Sequence, residues 1–147
     1  MKFIRSFYEE NGHSIVLIKH LKRLFYGEAR VHPDDKEKTS EFAGCSYAED
    51  RAMIKALKYE RKIAKNEAEI CRKFIKACES TKAWDSNSAS AKIVYHQLNC
   101  RIKKVNQLTD KINYLLLKIN KNILERDVTL NAFEKNKQKR LNKNSKK

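Results

Sequence analysis

The chain has 147 residues, carries 33 Lys and Arg against 18 Asp and Glu, and is 41% hydrophobic and 35% charged. That length suits one domain able to bury a core without disulfides or metals, and the surplus of charge favours narrow, elongated elements over a thick globule. The longest strongly apolar runs, "IVLI" and "LLL", fall far short of a membrane span of about 20 residues, and no export signal follows Lys2 and Arg5, so the expected setting is cytoplasmic, without membrane association.

Residues 1–31 read as a small antiparallel sheet. Aromatic and β-branched residues surround Asn11-Gly12, the strongest short-range hairpin signal, because both residues tolerate the positive φ of a two-residue turn. Strands are expected near Phe3 to Glu9, Ser14 to His20 and Phe25 to Val31, with His13 and His20 as strand-face residues. A helix starting at Ser14 is the competing assignment, since Leu17, Ile18, Leu21, Leu24 and Phe25 also fit a 3.6-residue period.

Residues 32–45 read as a loop. Within it His32, Asp34 and Asp35 resemble half of a metal or general-acid site, but Pro-Asp-Asp is also ordinary turn chemistry and no second carboxylate–histidine cluster appears at a regular spacing. There is no glycine-rich phosphate loop, and Cys45 lacks a recognisable His and Asn signature. The expectation is a non-enzyme with no cofactor, no metal and no small-molecule substrate.

Helix one is expected over 46–82. Ser46 and Glu49 form the S-x-x-E pattern of a capping box, in which hydroxyl and carboxylate reciprocally satisfy free amides of the first turn. The apolar stripe runs Ile54, Leu57, Ala64, Ala68, Cys71, Ile75 and Cys78, broken by Arg61, with Tyr59, Ile63, Ile70 and Phe74 widening it on one side. "WDSNSAS" interrupts the pattern, and helix two is expected over 88–134, with Leu98, Ile102, Val105, Ile112, Leu116, Ile119, Ile123, Leu130 and Phe133 as its stripe. So short a connection makes the helices antiparallel neighbours, with facing residue numbers summing to about 171. Arg61 then faces Asp110, an ion pair able to fix the alignment, and the longer helix two must bury Ile123, Leu130 and Phe133 against the N-terminal segment, joining 1–134 into one unit.

The same register decides the cysteines. Cys71 and Cys78 lie on one helix face but roughly 10 Å apart along the axis, too far to share a zinc ion. Cys71 can face Cys100, with His96 a turn away, yet this supplies too few ligands, and a reducing compartment argues against a disulfide. Core packing of small, soft side chains is the expected role.

Positive charge is unevenly placed. Residues 86–147 carry 15 Lys and Arg against 4 Asp and Glu, and the final "KNKQKRLNKNSKK", residues 135–147, has seven cations and no anion. Such a run is expected to be a disordered basic arm. Arg101, Lys103, Lys104, Lys111, Lys118 and Lys121 on helix two, with Lys135, Lys137, Lys139 and Arg140 in the arm, are the candidate phosphate-binding residues. Weighing against this, 24 Lys to 9 Arg with 12 Asn matches the composition of an AT-rich genome, and Tyr95, Tyr114 and Phe133 are scattered rather than gathered into a stacking platform.

From Tyr26 to Leu57 the residues Gly27, Ala29, Val31, His32, Pro33, Asp35, Gly44, Ala48, Arg51 and Ala52 form a pattern that resembles small uncharacterised proteins of bacteriophages and related mobile elements. The resemblance implies a small α+β unit in a bacterial host and no established activity; Val31 stands where a Cys is common in the pattern, so no thiol role is implied there. The resulting expectation is an α+β protein: sheet, long antiparallel helical hairpin and basic tail. Its expected function is a non-catalytic accessory role in binding nucleic acid or a nucleic-acid-associated complex. The alternative is a coiled-coil module for a protein partner or self-association.

Overall fold

The computed structural model describes residues 1–31 and 41–144, with side chains through residue 121. Three strands, β1 (Lys2–Tyr8), β2 (His13–His20) and β3 (Arg23–Arg30), form an antiparallel sheet in the order β1-β2-β3, followed by helices α1 (Glu41–Glu79) and α2 (Ala89–Asn144). The expected α+β class holds, and strands rather than a helix occupy residues 14–26. The chain divides into two compact units, Met1–Asn113 and Tyr114–Lys147.

The first hairpin turn differs from the sequence reading. At the first, the Glu9 carbonyl accepts from the Gly12 amide at 2.8 Å and the Glu9 amide donates to the His13 carbonyl at 2.8 Å. This is a three-residue loop closed by Gly12 at φ 85°, and Asn11 keeps a negative φ while its Oδ1 accepts from the His13 amide at 3.1 Å. The tight two-residue turn is the second one, where Leu21 (φ 47°) and Lys22 (φ 63°) link His20 to its partner Arg23. Left-handed backbone at two non-glycine residues costs of order 1 kcal/mol each, so the pairing of β2 with β3 imposes this turn against local preference.

Ser14, Val16 and Ile18 of β2 point to one face of the sheet and are buried there, at 0%, 1% and 2% exposure. Against them lies the first half of α1 with Gly44, Ala48, Ala52 and Ala56, a four-residue spacing of small side chains that brings the helix backbone onto the sheet. The approach is closest at Gly27 of β3, where a Cβ would overlap the Ala48 carbonyl and stand 2.5 Å from the Ala52 amide nitrogen. Gly44 makes room for the side chain of Ser14. Thus Gly27, Ala29, Gly44, Ala48 and Ala52, which carry the sequence resemblance, are the packing residues of one seam. Arg51, also in that pattern, donates from Nη1 to the Glu28 carbonyl at 2.6 Å, and Lys55 donates to the Tyr26 carbonyl at 2.8 Å.

This seam explains why α1 starts at Glu41 and not at Ser46. Packing of Gly44 on β2 carries the helix past the capping-box residues, which lie inside it, half-buried. At its other end α1 stops at Glu79, short of 82, and Ser88 rather than a charged residue caps α2, its Oγ accepting from the Ala91 amide at 3.2 Å. Trp84 stacks edge-on against Tyr95 at 6.5 Å, and Tyr95 donates to Glu79 at 2.7 Å, closing the hairpin at the turn. With neither Gly nor Pro to stop it, α2 passes the boundary expected at 134, and the basic run expected as an irregular arm has helical backbone as far as Asn144. Residues 32–40, including His32, Asp34 and Asp35, lie outside the described residues, as do the side chains of Ile123, Leu130 and Phe133.

Candidate nucleic-acid interface

The hairpin register is close to the expected one, but its polar links are different. Arg61 donates from Nη1 to Thr109 Oγ1 at 3.4 Å, and the residue beside it, Asp110, is exposed, so the expected Arg61–Asp110 pair is not formed. Thr109 also donates to the Val105 carbonyl one turn back, which turns its oxygen toward the seam between the helices. The stripe on α2 shifts as well: Leu108, Ile112, Leu115 and Ile119 are buried, while Leu116 is 39% exposed. On α1, Ile70 and Phe74 are 65% and 53% exposed and do not widen the buried stripe.

Two of the candidate phosphate-binding cations are engaged with α1. Lys104 Nζ lies 3.1 Å from Glu60 Oε1, and Arg101 Nε lies 3.4 Å from Glu67 Oε2, an ion pair without hydrogen-bond alignment. Arg101 also donates to the Gln97 carbonyl at 3.3 Å. Lys103 and Lys111, by contrast, are exposed and meet no carboxylate among the described residues. In the second unit, Lys118 and Lys121 line a shallow apolar depression with Tyr114 and Leu117. Lys135, Lys137, Lys139 and Arg140 fall within the helical backbone of α2, their side chains outside the described residues.

Glu60 is the residue that the sequence did not single out. His20 Nε2 on β2 lies 2.7 Å from its Oε2 while Lys104 on α2 holds Oε1, so one carboxylate on α1 ties together sheet, first helix and second helix. Its partners stand forty or more residues away in sequence, a separation that no local spacing signals. Burial alone would raise its pKa, but the hydrogen bonds and charges of His20 and Lys104 outweigh burial and hold it below the ordinary glutamate value.

A second polar group sits at the end of the sheet where the chain leaves β3. His13 lies between Glu28 (Nε2 to Oε2, 3.0 Å) and Glu9 (Nδ1 to Oε2, 3.7 Å), beside Asn11, Arg30 and Val31, around a depression of about 350 Å³. The carboxylates flank opposite nitrogens of the ring, which suits a hydrogen-bonded clasp rather than a shared ligand. Among the described residues no three His, Cys, Asp or Glu side chains converge in a way that could hold a metal ion.

The cysteines are free thiols. Cys71 and Cys78 are half-buried in the hairpin, but Cys100 is exposed, with Sγ 3.5 Å from His96 Nε2, so the expected core role does not extend to it. No helix among the described residues is long and apolar enough to cross a membrane. Compared with protein-family models, curated proteins and solved structures, the chain matches none.

Proposed function

We propose that this is a non-catalytic accessory protein of the phage or mobile-element type, acting in the cytoplasm of a bacterial host. It binds nucleic acid, or a complex containing it, through the exposed cations of α2 and the basic run that follows. The observation that carries this reading is the division of labour on α2. Glu60 and Glu67 are occupied by Lys104 and Arg101, which leaves Lys103 and Lys111 facing solvent in a segment where cations outnumber anions 15 to 4. Cations without acidic neighbours are the groups that displace counterions from phosphates. The phage-type assignment is supported by the pattern from Gly27 to Ala52, whose small residues make the seam between α1 and the sheet.

The test is a salt titration of binding to a duplex. Affinity should fall steeply between about 50 and 200 mM salt, and Lys103→Gln with Lys111→Gln should reduce the slope of log affinity against log salt by about 2, near 0.9 per lost phosphate contact. Absence of binding at the lowest salt would remove the reading. The second reading, a module for a protein partner, draws on Ile70 and Phe74, which stand one turn apart and exposed on α1. A sedimentation coefficient above that of a monomer, restored to monomer by Phe74→Ser, would favour it.

A further inference from the structure

The sheet has one covered face and one open face. Opposite the buried Ser14, Val16 and Ile18, strand alternation places Ile15 and Leu17 of β2 on the open side. Pairing then fixes their neighbours: Phe7 beside Ile15, and Arg5 and Tyr26 on either side of Leu17. Phe7 and Tyr26 are 56% and 54% exposed, so two aromatic rings stand on strands about 10 Å apart with a low aliphatic floor between them. Tyr26 is braced by Lys55, whose ammonium lies 4.2 Å from the ring centroid and bonds the residue's own carbonyl.

Away from the His13 end of the sheet, the charges around this floor are positive. Arg5 lies in the same row as Leu17 and Tyr26, Lys19 pairs with Leu24, and Arg30 pairs with His13. Two carboxylates, Glu28 and Glu9, stand at the His13 end of this face and both flank its ring, at 3.0 and 3.7 Å, and Glu28 also lies 4.0 Å from Arg30. Apolar rings framed by cations are complementary to a chain of bases and phosphates. The floor between the rings is Ile15 and Leu17, which cannot hydrogen-bond a base edge, so the face is suited to stacking rather than to reading a groove.

Resting on the nucleic-acid reading above, we infer that the open face of the sheet is a binding platform for single-stranded nucleic acid. Bases stack on Phe7 and Tyr26, and Arg5 and Lys19 meet the phosphates. This gives the protein a second contact surface, separate from the cations of α2 and with a preference for unpaired strands.

The experiment measures binding of the full chain to a fluorescent oligothymidine and to a duplex of equal length, at low salt. Phe7→Ala and Tyr26→Ala should each weaken oligothymidine binding by about 5- to 100-fold, the range for a lost base–aromatic stack, with less than a twofold change for duplex. Phe7→Trp should retain the affinity and Phe7→Leu should lose it, which separates stacking from apolar contact; thermal melts confirm that each variant is folded. Unchanged oligothymidine affinity in Phe7→Ala, with duplex binding intact, would overturn the platform and leave the α2 reading standing. Loss of all binding in the unmodified protein would overturn both. A dimer in sedimentation that Phe7→Ala converts to monomer would overturn it too, by showing the face covered by a second copy.

Discussion

The two halves of α1 pack by different means. From Gly44 to Ala56 the helix meets the sheet through a row of fully buried alanines, with Cys45, Tyr47 and Met53 packed against them, and its backbone reaches the backbone of β3. From Leu57 to Ile75 its buried residues thin to Leu57, Ala64, Ala68 and Ile75, and polar links at Glu60, Arg61 and Glu67 tie it to α2. The first seam gains from close backbone approach and tolerates no added volume. The second adapts more readily, because the polar side chains that link it are partly exposed and can move.

The largest expected effect lies on the first seam. Gly27→Val would drive atoms into the Ala48 carbonyl and the Ala52 amide, and it should destabilise the protein by about 3 kcal/mol or more, enough to abolish a cooperative thermal transition. A melt within a few degrees of the unmodified protein would mean that the two seams do not differ as described. Ile75→Ala, on the second seam, removes a side chain that is 6% exposed and should cost about 2 kcal/mol, the low end for such truncations, because Phe74 and Cys78 nearby can settle into the space. Denaturant midpoints of the two variants compare the seams directly.

At the junction between them, Glu60→Gln should cost about 1–3 kcal/mol, since it removes charge-assisted hydrogen bonds to His20 and Lys104. The pH dependence follows from the depressed pKa of Glu60. Its folded-state value lies below the unfolded one, so its contribution is fully present above about pH 4.3 and is lost as the pH falls through the folded value. Chemical denaturation in buffers taken below about pH 4.3 should therefore show a drop in stability that is shallower in Glu60→Gln. The smallest effect belongs to Cys100→Ser, expected within about 0.5 kcal/mol because the thiol is exposed. A larger loss would show that the second seam reaches further around α2 than its burial indicates.

How much of this was legible in the sequence depended on the size of the residues involved. Strand positions were readable because aromatic and β-branched residues flank Asn11-Gly12, and the hairpin of helices was readable from the Leu and Ile spacing. The seam under α1 was not, since Ala48, Ala52 and Ala56 add little to any hydrophobic stripe, although they are fully buried. Capping chemistry misplaced the start of α1 for the same reason: tertiary packing of Gly44 outweighs what Ser46 and Glu49 prefer locally. Of the candidate site, the sequence showed that α2 is basic but not which cations are spent on Glu60 and Glu67. The aromatic pair on the sheet was hidden because Phe7 and Tyr26 come together only through strand pairing.

Arg51 and Lys55 have a consequence for growth of the sheet. By binding the carbonyls of Glu28 and Tyr26, they close the β3 margin to any incoming strand, much as a hem finishes one side of a cloth. Among the described residues the β1 margin carries no such clasp, and it is solvent-exposed over nearly its whole length. Lateral extension of the β-structure, whether by a tag, a fused peptide or a neighbouring molecule, is thereby directed to β1 alone.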